Sequence, residues 1–278
     1  MPIVTFWSNN KKAIGQTVAA SAAATVMAME HNYKVILISV DFFNNSMEEC
    51  FGAQQSNAEL IKSLIAAPKM NLDTGINGLL KVAQSNRVTP EMIKDYTKII
   101  YKNRLEVLYS STYRDLPIEE QFECFKRIIL NASQYYDHVF IDLKKGTDCP
   151  QVFDILNMSD AIVLNTEQGI KTFDEFFKMP ETQPYIQAHK IMWNLCRYDK
   201  KSKYNTKNLV RTVWKRQPIY CVPYNTLLFE AVGEGTIAEL LLRIRTIKNE
   251  DENSEMFASV KELTEGILMK YQELRMRM

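Results

Sequence analysis

The sequence lacks three features that would place it in a class at once: a large net charge, paired cysteines and a long apolar run. Its 34 basic and 33 acidic residues give a formal net charge of +1, so no global field favours nucleic acid or an anionic membrane. Its five cysteines include no CxxC pair, which predicts scattered reduced thiols. No window holds the about 18 apolar residues of a spanning helix, and no signal-peptide pattern opens the chain. We therefore expect a cytoplasmic protein.

A flexible linker, an internal repeat and a low-complexity tract are also missing from the chain. Its 278 residues, 46% of them hydrophobic, are enough to bury a sizeable core. A charged break at 249–255 precedes a last helical pattern over about 255–278. We predict a single domain over 1–278.

Seven short apolar runs alternate with helical patterns. Buried strands that alternate with helices predict a mostly parallel sheet covered by helices on both faces, which is a three-layer α/β fold. Residues 54–103, between the second and third runs, are predicted to form several short helices that cap the site side of the sheet. The runs are IVTFW from Ile3, KVILI from Lys34, LEVLYS from Leu105, HVFIDL from His138, AIVLN from Ala161, KIMWNL from Lys190 and IYCV from Ile219.

The loop after the first run carries the strongest chemical signal. It reads SNNKKAIGQT and leads into an alanine-rich run that favours a helix. In a phosphate-binding loop, backbone amides and the positive end of a helix point at phosphate, and a Ser or Thr hydroxyl binds magnesium. Gly15 and Thr17 lie where those roles require. The alternative is an ordinary polar loop between a strand and a helix.

This loop resembles the KGGxGKT loop of the ParA/MinD superfamily of P-loop ATPases. On that pattern Lys11 is the signature lysine, which in the family reaches across a dimer interface to the partner's nucleotide. Gln16 replaces the usual phosphate-binding lysine, and a neutral amide does not supply the charge that steadies phosphoryl transfer. The resemblance therefore implies ATP and Mg²⁺ binding with slow or absent hydrolysis. The positions that it assigns to the nucleotide phosphates are Lys12, Ala13, Ile14, Gly15, Gln16, Thr17 and Val18.

Two further segments match the family's carboxylate positions. In VDFFNNSMEECFG, Asp41 keeps the second carboxylate of a DxD motif, and the resemblance implies that it orients attacking water. In HVFIDLKKG, Asp142 ends an apolar strand, as the family's magnesium-binding carboxylate does. Asp142 and Thr17 are thus the predicted metal residues. Lys144 or Lys145, next in the chain, is a candidate to replace the missing lysine, the alternative being solvated loop charges.

Later segments resemble the adenine-binding parts of the family. Asn194 matches a strand-end Asn that contacts adenine, and Pro223 lies in the loop that closes over the base. The succession of these segments looks most similar to the CpaE/TadZ branch, whose members place pilus or secretion machinery in bacterial cells. That branch implies a homodimer, pilus or secretion proteins as partners, and recruitment to the cell pole or the inner membrane face.

Two other surfaces suggest different partners. Between Lys190 and Arg216 nine basic residues face one acid, a pattern that binds DNA backbone without reading sequence. The C-terminal pattern has apolar residues at helical spacing, which fits either packing on the sheet or membrane contact. The alternatives to a nucleotide-switched positioning protein are accordingly a non-catalytic scaffold with a dead phosphate loop and a DNA-partitioning ATPase.

Overall fold

A computed structural model describes residues 2–12, 14–42, 44–52, 75–111, 116–212, 218–246 and 251–277. Within these residues the strands form one eight-stranded sheet in the order β3-β4-β2-β5-β1-β6-β7-β8. Every pairing is parallel except that of β3 with β4, so the predicted α/β architecture is confirmed. The strands are β1 (Ile3–Trp7), β2 (Val35–Val40), β3 (Lys98–Tyr101), β4 (Leu105–Leu108), β5 (His138–Leu143), β6 (Ala161–Thr166), β7 (Ile191–Tyr198) and β8 (Ile219–Pro223).

Helices cover both faces of this sheet. Two short 3₁₀ segments, Pro90–Tyr96 and Pro180–Thr182, accompany them. The α-helices are α1 (Gln16–Glu30), α2 (Ser46–Phe51), α3 (Ile76–Gln84), α4 (Ile118–Tyr135), α5 (Gln151–Met158), α6 (Ile170–Lys178), α7 (Gln183–Gln187), α8 (Thr206–Thr212), α9 (Thr226–Gly233), α10 (Ile237–Arg245) and α11 (Glu252–Arg277).

The hydrophobic core has two halves, one on each face of the sheet. One half joins the sheet to α3, α4, α5 and α6, with Trp7, Phe125 and Trp193 among its buried side chains. The other joins the sheet to α1, α2, α9, α10 and α11. Strands β1, β2, β5 and β6 are buried along their whole length, which explains why they read as continuous apolar runs.

The first helix owes its depth in the core to its alanines. Twelve of the fifteen residues of α1 are buried, because small side chains let the helix lie close to the sheet on one side and to α11 on the other. Gly15 precedes the helix with φ at 95°, in the left-handed region that glycine enters without a Cβ penalty. The sequence pattern and the tertiary packing therefore agree at this element.

The insert after β2 differs in part from the prediction. INGLLKVAQ forms α3 as expected, and PEMIKDY forms a 3₁₀ segment. Residues Lys98–Tyr101, expected within the helical insert, form β3, an antiparallel edge strand. The run Lys98–Tyr101 is too short to show a periodicity, so only its pairing with β4 decides its state. The predicted helix NAELIKSLI lies outside the described residues.

The C-terminal helix begins at Glu252 and lies against α1 and β8. Its apolar stripe is buried in the second half of the core through Met256, Val260, Leu263 and Ile267. A glycine makes the close approach to the sheet: a Cβ on Gly266 would lie 2.2 Å from the ring of Tyr220. The middle of this helix is thus a packing element, and its apolar stripe does not face outward.

Candidate functional site

The candidate site lies at the carboxyl ends of the central strands. Strand β1 lies between β5 and β6. Strands β2 to β5 extend the sheet in one direction from β1, and strands β6 to β8 extend it in the other. In open α/β sheets such a switch point opens a crevice where ligands bind. The loop from β1 to α1, the end of β5 and the end of β7 all meet there.

The N-terminus of α1 opens onto a cleft of about 420 Å³. Gly15, Gln16, Thr17 and Val18 all line this cleft, which places the first turn of the helix along its wall. The first turn of α1, all of which is described, contains no acidic residue. The positive end of the helix is therefore not offset by an acidic side chain of its own first turn.

Gln16 is bound to the residue that the sequence assigns to magnesium. Its Nε2 donates to Oδ1 of Asp142 and to the backbone oxygen of Leu143, both at 2.7 Å. The side chain is 1% exposed, and its Oε1 has no hydrogen-bond partner among the described residues. The amide thus takes one carboxylate oxygen of Asp142 and leaves a buried acceptor of its own unpaired.

Asp142 is a buried carboxylate at the end of β5. Burial raises its pKa from the ordinary 3.8 to about 6, because the charged form loses its hydration. Hydrogen bonds from Thr17 and Gln16 and the charge of Lys145 act in the opposite direction, while the charge of Asp41 adds to the rise. The predicted metal residues Thr17 and Asp142 are therefore neighbours. In the described part of the chain, no group of three or more His, Cys, Asp or Glu side chains is placed to hold a metal ion.

Asp41 lies in a loop that is built by short-range hydrogen bonds. Its Oδ2 accepts from Nδ2 of Asn44 at 2.6 Å, and Oδ1 of Asn44 accepts from the backbone of Ser46 at 3.0 Å. The hydroxyl of Ser110 donates to the backbone oxygen of Asn44. These bonds hold the start of α2, whose Ser46 and Glu49 line the cleft. Ser39, opposite Asp142 in the sheet register, replaces the first carboxylate of the motif.

The two loop lysines are paired on the protein surface. Nζ of Lys11 lies 3.3 Å from Asp148, and Nζ of Lys12 lies 3.8 Å from Glu167. All four side chains are close to half exposed or more, and such pairs contribute about 0–1 kcal/mol. Ile14 is buried under the loop, and Ala13 lies outside the described residues. Lys11 therefore has a local partner that it gives up at little cost.

The opposite wall of the cleft comes from β7, β8 and α9. Pro223, predicted beside the base, lies in this wall. Lys145, which follows β5, also lines the cleft. Lys144 is not among the lining residues, and its charge acts on Asp148 instead. Of the two lysines after Asp142, Lys145 is the one that the structure brings to the cleft.

Asn194, predicted to contact adenine, does not line the cleft. It is fully buried, and its Nδ2 donates to Oδ1 of Asn165 at 2.8 Å. The predicted strand ended at Leu195, whereas β7 continues to Tyr198 through its pairing with β8. Because the strand is longer, Cys196 and Arg197 take the position at the cleft, two residues beyond the expected one.

Several cleft residues were not predicted from the sequence, and the polar and aromatic ones include Arg197, Tyr224 and Phe229. Arg197 lines the cleft beside Gly15, and the aromatic rings of Tyr224 and Phe229 stand at its rim, 60% and 66% exposed. Arg197 does carry a sequence signal, because it belongs to the basic segment from Lys190 to Arg216. That segment as a whole suggests DNA binding and does not single out Arg197. No pattern along the sequence predicts which aromatic side chains are exposed.

The basic segment from Lys190 to Arg216 is divided by the fold. Nζ of Lys190, which precedes the start of β7, donates to the backbone oxygen of Ser159 at 2.7 Å. Lys200 pairs with Glu255 at 2.6 Å, and Lys215 and Arg216 lie outside the described residues. Of the described charges, Lys190 and Lys200 therefore have partners of their own, and Arg197 lines the cleft. Among the described helices, none is long and apolar enough to cross a membrane.

Comparison with solved structures identifies the architecture. A ParA family ATPase from Chlorobium tepidum TLS superposes with a TM-score of 0.67 at 12% identity, over 95% of this chain and 98% of that one. MinD from Aquifex aeolicus, solved with MinC, gives 0.65 at 14% identity over 96% of both chains. The septum site-determining protein MinD from Pyrococcus horikoshii OT3, solved with Mg-ADP, gives 0.63 at 15% identity over 97% and 98%.

This chain has the ParA/MinD P-loop ATPase fold. Identities of this size establish the architecture and not the activity. No family model and no curated protein sequence matches the chain. The cleft described above lies at the start of the first helix of this fold.

Proposed function

We propose that this chain is a ParA/MinD-type ATP-binding protein that positions a cellular assembly and hydrolyses ATP slowly or not at all. One observation carries the proposal: the uncapped N-terminus of α1 opens on the cleft, and Thr17 lies beside Asp142. This is the arrangement that receives phosphate and a hydrated magnesium ion. MinD from Pyrococcus horikoshii, with the same fold, was solved with Mg-ADP.

The residues present fit the phosphates and the metal in part. Backbone amides from Gly15 to Val18 would hold phosphate, and Thr17 with Asp142 would hold Mg²⁺, which when bound neutralises charge on the phosphate oxygens. Pro223 and Cys196, which line the cleft, would lie beside the adenine base, and the buried Asn194 would lie behind them. The misfit is Gln16, whose unpaired Oε1 is an acceptor where the fold normally supplies a cation.

Slow hydrolysis follows from that misfit. Gln16 brings no positive charge to the reaction, and it holds the carboxylate of Asp142 by a direct hydrogen bond. A preorganised charge at the transferring phosphoryl group is the largest single contribution to such catalysis. Asp41, which would orient the attacking water, accepts a hydrogen bond from Asn44 and is not among the described residues that line the cleft.

Nucleotide-linked dimerisation is the second part of the proposal. Lys11 would leave Asp148 and reach the nucleotide of a second copy. The exposed pair with Asp148 costs little to break, so the lysine is available. The dimer would then recruit proteins of a pilus or secretion machinery, a role that rests on the resemblance to the CpaE/TadZ branch, with the cell pole or inner membrane face as the place of recruitment.

A non-catalytic scaffold is the second candidate, and the bond from Gln16 to Asp142 favours it. In that role the side-chain amide of Gln16 permanently occupies the carboxylate of Asp142 in place of a metal ion. The protein then functions only through its dimer and partner surfaces. The two candidates differ in a single measurable property, namely whether nucleotide binding changes the association state.

The test is calorimetric titration with Mg-ATP, with light scattering in parallel. We expect the wild type to bind and to dimerise, and Thr17→Ala to lose both. Thr246→Ala is the matched control, because Thr246 is exposed and does not line the cleft. Absence of binding by the wild type at millimolar Mg-ATP contradicts the proposal and leaves the scaffold.

A further inference from the structure

We propose that Arg197 is a phosphate-binding residue that supplies, from the end of β7, the positive charge that Gln16 does not supply from the loop. This inference rests on the proposed nucleotide function and deepens it. It assigns to a residue outside the phosphate loop a role in binding nucleoside di- and triphosphates.

The position of Arg197 is the first argument. A Cβ on Gly15 would lie 3.7 Å from Cγ of Arg197 and 3.8 Å from its Nε. The arginine side chain therefore lies directly over the residue that precedes α1. Both residues line the same cleft, so the guanidinium is beside the amides that would receive phosphate.

The backbone of Arg197 is the second argument. Its φ is +52°, in the left-handed region, at the point where the pairing of β7 with β8 shifts register between Cys196 and Tyr198. The other non-glycine residues with positive φ in the described part of the chain are Asn86, Asn103 and His189, types that enter this region more readily. An arginine held there costs folding free energy, and such strain is concentrated at functional sites. The bulge turns the side chain toward Gly15.

The balance of charge in the cleft is the third argument. Gln16 is neutral, and the unpaired Oε1 of this residue would repel phosphate oxygens. Lys11 and Lys12 are paired with Asp148 and Glu167 outside the cleft. Among the described residues, the cations that line the cleft are Lys145 and Arg197, and the acid is Glu49. Lys145 acts on Asp142, so of these two cations Arg197 is the one at the helix end.

The chemistry suits the residue. A guanidinium presents a planar fork of donors that matches two phosphate oxygens, and it keeps its charge at every accessible pH. A charge placed beside Gly15 serves every nucleotide with two or more phosphates. The nucleoside alone, which has no phosphate, gains nothing from it.

The experiment measures the affinity of the full chain for adenosine, Mg-ADP and Mg-ATP by calorimetry. We expect Arg197→Ala to weaken Mg-ADP and Mg-ATP binding about 10- to 100-fold, as for loss of a charge-assisted pair, and to change adenosine binding less than about twofold. Arg197→Lys should recover part of the loss. Lys201→Ala is the control, because Lys201 follows the end of β7 and lines the neighbouring groove, which Arg197 also borders, but does not line the cleft. Thermal unfolding of each variant verifies that it is folded.

The outcomes separate this inference from the proposed function. Retained Mg-ATP affinity in Arg197→Ala, within threefold of wild type, overturns the role of Arg197 and leaves nucleotide binding intact. An equal loss for adenosine and Mg-ATP also overturns it, because the side chain then contacts the base. Failure of the wild type to bind any of the three ligands overturns the proposed function and this inference together.

Discussion

Gln16 and Asp142, 126 residues apart in the chain, are joined by a hydrogen bond of 2.7 Å from Nε2 to Oδ1. The pair is buried, so neither partner finds water as a substitute. It links the first turn of α1 to the end of β5 at the position where the fold normally holds a lysine and a metal-binding carboxylate.

Gln16→Lys should raise ATP hydrolysis at least about tenfold, because it places a cation beside the transferring phosphoryl group. Phosphate release under saturating Mg-ATP measures the effect. Gln16→Met, of similar length and without a polar end, is the control and should give no gain. Equal rates for Gln16→Lys and wild type would show that the absence of a lysine at position 16 does not limit ATP hydrolysis.

Asp142 should make stability fall as pH rises from about 4 to 6. Its pKa is raised in the folded state to about 6 from 3.8, so the unfolded chain ionises first and is favoured across that window. Asp142→Asn removes this effect and should be more stable than wild type at pH 7.5 by about 2–3 kcal/mol. Urea unfolding without Mg²⁺ measures the difference, which should shrink near pH 4. A difference that does not change with pH contradicts the prediction.

Arg197→Gly should be more stable than Arg197→Ala by about 1 kcal/mol, since glycine carries no Cβ penalty at φ +52°. Both variants lose the same guanidinium, so the comparison isolates backbone strain. Denaturant unfolding of the two proteins is the measurement. An alanine variant at least as stable as the glycine variant would mean that the position is unstrained.

Gly266→Ala should destabilise the protein by about 1–3 kcal/mol, because its Cβ would enter the ring of Tyr220 and push α11 from β8. Gly233→Ala is the matched control: a Cβ there meets nothing within 4 Å, and alanine favours the helix. It should be neutral or stabilising by up to about 1 kcal/mol. Thermal unfolding of both variants tests the packing of the C-terminal helix.

Much of the fold was readable from local patterns. All seven predicted runs lie on strands, because strands buried on both faces leave continuous apolar stretches. The alanine-rich run predicted α1, because alanine has the highest helix propensity. Strand β3 was missed because its four residues are partly or fully exposed, and an edge strand of that length carries no periodic signal.

The candidate site was predicted in outline and not in detail. The resemblance of two segments to the family's motifs implied that Gly15, Thr17 and Asp142 share one site, and in the structure Thr17 and Asp142 are neighbours. The sequence did not predict that Gln16 would bind Asp142, and it put the end of β7 three residues too early. The strand therefore continues past Asn194, and Cys196 and Arg197, which were not predicted, line the cleft.

The sequence by itself determined seven of the eight described strands, the first helix and the loop with its substituted lysine, because these depend on residue type and on spacing along a few turns of chain. Only the tertiary structure decided which side chains share the cleft. Where β7 ends depends on its pairing with β8, and the direction of Arg197 depends on the register shift between them. Such contacts join residues far apart in the chain, and no local pattern records them.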